Sequence, residues 1–264
     1  MRLPAIRDSR HFGFVLLCGA FVLVGAHPAF SDSFLLTYLS PGVQTPLGVT
    51  SYYETFDSLA PNTALSSPFV TNFGGSAYTG TYTGNINWRT ANGVGGAGGT
   101  GVFPLLSTGN TYSLSLSSPV NYFGLWLSAL DSGNQLQFFN GSTLLYTFTA
   151  TALKSLLGAC PAGAFCGNPN PRFAGDDPGE QFAYLNFYDA TAAFNEVVFS
   201  EVGTQPAGFE SDNQAVAILA APPGEPVPEP ASAGVFGGVG LAAALLVLRK
   251  RALRNCLSSR RLCS

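Results

Sequence analysis

Carboxylates are the side chains this sequence offers for chemistry. Four groups stand out. Glu54 and Asp57 lie early in the chain. Asp131 opens Asp131-Ser132-Gly133-Asn134. Asp176, Asp177 and Glu180 share the loop Asp176-Asp177-Pro178-Gly179-Glu180. Glu210 and Asp212 precede Asn213. A hard cation such as Ca²⁺ takes about six to eight oxygens from carboxylates, amides and backbone carbonyls. In jelly-roll modules the first and last strands often lie together. Glu54, Asp57, Glu210 and Asp212 are therefore the expected calcium quartet, with the Asp131 turn and the 176–180 loop as further candidates. Two carboxylates facing each other across a cleft would instead serve glycoside hydrolysis. A carboxylate-dependent polysaccharide hydrolase or lyase is thus the alternative to a binding role.

Residue supply excludes most other catalysis. The two histidines, His11 and His27, sit in or beside an N-terminal leader. The chain beyond that leader then lacks an imidazole for Ser-His-Asp or Cys-His chemistry, or for His-based zinc or iron sites. Cys160 and Cys166 bracket a short Pro/Gly-containing loop and are expected to form a disulfide in an oxidising compartment. Once paired, they leave no activated thiol. Gly93–Gly101 contains a GxGxxG pattern, but no helix follows and Phe103-Pro104 ends the run. A flexible surface loop is expected there, not a dinucleotide site. Tyr52, Tyr53, Tyr78 and Trp88 lie in polar, Gly/Asn-rich segments and are the candidate rings for stacking on a glycan. Trp126, between Leu125 and Leu127, is expected in the core.

Charge narrows the partners. The whole chain carries a formal net charge of −3. Between Asp32 and Pro230, however, fourteen acidic residues stand against Arg89, Lys154 and Arg172, a net charge of about −11. Nucleic-acid binding needs the opposite sign, so no nucleic-acid partner is expected.

Short alternating segments must position these residues. Thr111–Leu116, Val120–Leu130, Gln135–Phe139, Ser142–Thr149, Ala183–Asp189, Ala193–Glu201 and Ala215–Ala220 read as strands, with Thr50–Phe56 and Ala77–Tyr82 before them. Asn140-Gly141 marks a hairpin turn. Thr151–Leu157 is the one helix candidate. Strands at roughly ten-residue spacing with Gly, Asn and Pro turns predict an all-β domain, a jelly-roll-like β-sandwich over 32–221.

The two ends read as sorting segments. Arg2, Arg7 and Arg10 precede the apolar stretch Phe12–Gly25, the layout of a secretory signal peptide (1–31, with cleavage after Ala26 or Ser31). A Pro-rich linker, 222–230, ends in Val227-Pro228-Glu229-Pro230. The uncharged segment Ala231–Leu248 follows, long enough as a helix to span roughly 27 Å of bilayer. Arg249, Lys250 and Arg251 open a basic tail, 249–264, expected to stay cytoplasmic. Motif, span and basic end in this order resemble the PEP-CTERM signal of Gram-negative bacteria, which an exosortase recognises and cuts near Pro-Glu-Pro. Phe123-Gly124-Leu125-Trp126 and Gly208-Phe209-Glu210-Ser211-Asp212-Asn213 also resemble recurring segments of PEP-CTERM exported proteins. The resemblance implies an inner-membrane precursor delivered to the cell surface or extracellular matrix. It also implies a link to exopolysaccharide and biofilm. The expected role is non-enzymatic: structural, adhesive or glycan-binding, with calcium as the candidate ligand ion.

Overall fold

Alternation of polar and apolar residues makes the strands, and turn residues part them. The computed structural model describes residues 34–48, 52–65, 68–203 and 207–226, all within one compact unit. The segment read as a signal peptide, Val227–Pro230, the apolar segment 231–248 and the basic tail lie outside the described residues. Among the described residues, no helix is long and apolar enough to cross a membrane.

The strands are β1 (Phe34–Tyr38), β2 (Thr63–Ala64), β3 (Phe69–Thr71), β4 (Gly80–Gly84), β5 (Asn87–Thr90), β6 (Val102–Ser107), β7 (Thr111–Val120), β8 (Tyr122–Ser128), β9 (Asn134–Asn140), β10 (Thr143–Thr149), β11 (Ala183–Asp189), β12 (Phe194–Glu201), β13 (Gly208–Ala217) and β14 (Glu225–Pro226). They form two antiparallel sheets. One has the order β14-β1-β11-β8-β13-β6-β5-β2, the other β10-β9-β12-β7-β4-β3. The expected β-sandwich is present.

β8 shows how sequence becomes layer. Phe123, Leu125 and Leu127 point into the main core between the sheets. Tyr122 and Trp126 point the other way, into two smaller clusters on the outer face of the eight-stranded sheet. With both faces covered, the strand reads as a continuous apolar run. The main core is aromatic. Phe138 has Phe34, Phe187 and Phe194 at ring-centroid distances of 4.9, 5.0 and 5.1 Å, within the range where ring pairs add to simple area burial. The helix α1 (Ala150–Leu157) continues directly from β10. It buries Ala150, Leu153 and Leu157 on one face and stops at Gly158, whose φ of +95° an L residue resists.

Several expectations shift. The hairpin turn moves by one residue. Asn140 pairs with Thr143, so the loop is Gly141-Ser142, and Gly141 (φ +57°) takes the first central position of a glycine-first turn. Of the segment read as Thr50–Phe56, the described part, Tyr52–Phe56, contributes the isolated bridge Glu54–Gln214 in place of a strand. The strand expected at Ala215–Ala220 begins earlier, at Gly208. Glu225–Pro226, in the segment read as a linker, pairs with Thr37 and Tyr38 of β1. Gly93–Gly101 is packed, not a loose surface loop, with Gly95, Gly96 and Gly99 buried. A Cβ on Gly95 would meet the Phe103 ring at 2.6 Å, so the glycines there serve close approach.

Candidate functional site

β13 crosses the eight-stranded sheet as Glu210-Ser211-Asp212-Asn213-Gln214, five polar residues in succession, all buried. Such a run survives only if its polar atoms find partners. On the inner face they do. Ser211 Oγ lies 3.4 Å from the Tyr112 hydroxyl and accepts from Gln214 Nε2 at 3.0 Å, while Gln214 Oε1 accepts from the Tyr82 hydroxyl at 2.8 Å. On the outer face Glu210 and Asp212 enter different surroundings.

Asp212 belongs with Asp57 and Glu54. Its Oδ2 accepts from the Ala97 amide at 2.8 Å and its Oδ1 from the Asn213 amide at 2.7 Å. Asp57 Oδ1 accepts from the Val102 amide at 3.1 Å. Glu54 Oε1 accepts from the Phe56 amide at 2.6 Å, and its Oε2 from the Thr71 hydroxyl. Burial pushes the Asp212 carboxyl well up. The two amides oppose that shift, and the like charges of Asp57 and Glu54 add to it. These carboxylates hold the backbone of the Gly-rich segment and its neighbours.

Glu210 belongs to a different cluster. It lines a cleft of about 340 Å³ with Asp131, Asp177 and Glu180; Val94, Leu105, Ala129, Ala207 and Gly208 complete the wall. The expected calcium quartet is therefore divided. Glu210 faces the Asp131 turn and the 176–180 loop, and Glu54, Asp57 and Asp212 sit elsewhere. Glu210 is 5 % exposed, and its Oε2 is buried without a hydrogen-bond partner. Ser128, its register partner on β8, carries a second buried oxygen without a partner. The Glu210 carboxylate lies directly over Gly208, where a Cβ would meet its Oε1.

The other acids are held from several directions. Asp131 Oδ2 accepts from the Gly208 amide at 3.0 Å, and the Asp131 amide donates to Asn134 Oδ1 at 2.9 Å. Asn134 Nδ2 donates to Glu201 Oε2 and to the Gly208 carbonyl, both at 2.7 Å. The 176–180 loop is tied to β8 through its continuation, where the Leu130 amide donates to the Gln181 carbonyl at 2.9 Å. Asp177 and Ala129, both in the cleft wall, have φ of +52° and +47°, unusual for residues other than glycine.

The electrostatics follow from this crowding. Burial raises the Glu180 carboxyl to about 8, with hydrogen bonds to Asp177 and Asp131 and their negative charge adding to the rise. Burial also pushes Glu210 well up, followed by the charges of Asp131 and Glu180. Glu201 is raised by burial, against the opposing bonds from Gly203 and Asn134. A hydrogen bond between two carboxyl groups needs a shared proton, or a cation in its place.

The four candidate stacking rings differ in access. Tyr52 is 48 % exposed, Tyr53 and Tyr78 are half-buried, and Trp88 is 4 % exposed. The Trp88 ring stacks on Phe56 at 5.6 Å and meets Phe69 edge-on at 5.8 Å. It is a core residue, because β5 pairs with β6 and turns the ring inward. Trp126 is buried as expected, although beneath the outer face. Cys160 and Cys166 form the expected disulfide.

Each acid of the cleft is visible in the sequence, but their meeting is not, because it depends on which strands neighbour β13. The small residues Ala129, Ala207 and Gly208 around the acids are the signal that could have suggested it. Among the described residues, no group of three or more acidic, Cys or His side chains already stands in metal-holding geometry. No protein-family model matches the chain, and no curated protein or solved structure matches it either.

Proposed function

We propose that the chain is an exported surface or matrix protein, sorted by an exosortase through its PEP-CTERM tail, with a structural, adhesive or glycan-binding role in an exopolysaccharide matrix. The carrying observation is the order of Val227-Pro228-Glu229-Pro230, the uncharged segment 231–248 and the basic cluster Arg249-Lys250-Arg251. The Cys160–Cys166 disulfide supports an oxidising destination. The jelly-roll-like reading is supported by the path of the chain: from β6 to β13 consecutive strands alternate between the sheets, apart from the β9–β10 hairpin.

Replacing Pro228-Glu229-Pro230 by three alanines in the producing cells tests the sorting. Uncleaved protein is expected to accumulate in the inner membrane; unchanged release would overturn the reading. Incubating the released protein with the cells' own exopolysaccharide tests the role. Saturable co-sedimentation without new reducing ends or unsaturated sugars is expected, whereas release of such products would identify a hydrolase or lyase instead.

A further inference from the structure

We propose that Asp131, Asp177, Glu180 and Glu210 form a binding site for a hard divalent cation, calcium in an extracellular setting. The first argument is chemical. Every polar side chain in the cleft wall is a carboxylate, and the remaining wall is aliphatic or glycine. A wall whose polar groups are all carboxyls is matched by a ligand that brings positive charge and can take the place of the proton they share. No basic side chain lines the cleft to neutralise the acids.

The second argument is an orphaned atom. Glu210 Oε2 is buried without a partner, on a side chain that lines this cleft. Such an atom costs free energy unless something fills its coordination. Ser128 Oγ, across the strand pair, is a second oxygen in the same condition. The third argument is convergence. Three segments far apart in sequence supply the acids, and hydrogen bonds hold them: the Asp131 carboxylate accepts from the Gly208 amide, the Asp131 amide donates to Asn134 Oδ1, and the 176–180 loop is tied through its continuation at Gln181.

Calcium fits this arrangement better than magnesium or zinc. It accepts irregular sets of carboxylates and completes its shell with water, for which the cleft has room. Magnesium demands near-octahedral geometry, and zinc favours nitrogen and sulfur ligands that this wall lacks. Ion entry would draw the carboxylates inward from a spacing that does not yet enclose a metal. The inference is independent of how the chain is sorted.

The test uses the full chain, purified in mild detergent and stripped with EDTA. Calorimetric titration with calcium chloride should give one saturable site, with Kd of roughly 10⁻⁴–10⁻³ M, the range of extracellular modules. Saturating calcium should raise Tm by roughly 5 °C. Glu210→Gln should abolish both responses, yet melt in EDTA at least as high as the parent, because a neutral amide replaces a buried carboxyl whose ionised form burial disfavours. Glu180→Gln, at a half-buried position, is the second variant and should weaken binding about tenfold or more. Absence of heat and of any Tm shift in millimolar calcium would overturn the proposal. So would an equal calcium response in the parent and both variants, or binding of putrescine with none of calcium.

Discussion

The carboxylate of Asp212 accepts a hydrogen bond from the amide of Ala97 at 2.8 Å, across 115 residues of chain. Asp57 takes the Val102 amide beside the other end of the same Gly-rich segment. Two acids from opposite ends of the domain thus clamp one loop against the outer face of the eight-stranded sheet.

Asp212→Ala leaves the part-buried amide of Ala97 and the buried amide of Asn213 without their acceptor. The expected cost is about 2–4 kcal/mol, read as a lower urea midpoint at unchanged slope. A change under about 0.5 kcal/mol would show that the clamp contributes little.

Trp88 and Tyr52 should part company on mutation. Trp88→Ala opens a hole between Phe56 and Phe69 and should cost about 3–5 kcal/mol. Tyr52→Ala removes an exposed ring and should stay within about 0.5 kcal/mol. If a glycan binds through Tyr52, Tyr52→Ala should weaken co-sedimentation while leaving the melt unchanged.

Paired replacement of Cys160 and Cys166 by serine opens a loop of sequence separation 6. In the chain-entropy account the loss is about 2 kcal/mol. Reduction with dithiothreitol should lower Tm by a matching amount, and the serine variant should be insensitive to it.

The cleft also sets a pH dependence for the metal-free chain. Burial raises Glu180 from 4.5 to about 8, with Asp177 and Asp131 adding to the rise; Glu210 and Glu201 move in the same direction. Between those limits the folded chain keeps protons that the unfolded chain has released. The stability from Glu180 is therefore fully present below pH 4.5 and is lost as pH rises through about 8, and the upward shifts of Glu210 and Glu201 act with the same sign. In EDTA, Tm should be highest near about pH 5 and fall towards about pH 8. Glu180→Gln should flatten that fall, and a Tm climbing steadily with pH would contradict the electrostatics described.

What the sequence made legible follows its alternation. Ala183–Asp189 is read to the residue, and β9, β10, β12 and α1 nearly so, because their apolar residues recur at the period of the element. β5 and β6 are not read at all. Asn87-Trp88-Arg89-Thr90 is too polar, and Pro104 interrupts Val102–Ser107. β13 is the instructive case. Glu210–Gln214 resembles a turn by composition, and only the Tyr82 and Tyr112 hydroxyls and the Ala97 amide, supplied by distant segments, let it run through the sheet. For the same reason the pairing of Glu54 and Asp57 with Asp212 was foreseeable, whereas the company of Glu210 was not.

The first and last described strands, β1 and β14, are neighbours at one edge of the eight-stranded sheet, and among the described residues Thr37–Pro226 and Tyr38–Glu225 are the pairs that join them. Of the described pairings, this two-residue ladder lies nearest the chain beyond Pro226, so tension entering there would load it first. The five-residue ladder between β1 and β11 stands behind it. The edge is therefore a compliant joint, able to pay out a short length of chain under load while the aromatic core stays closed.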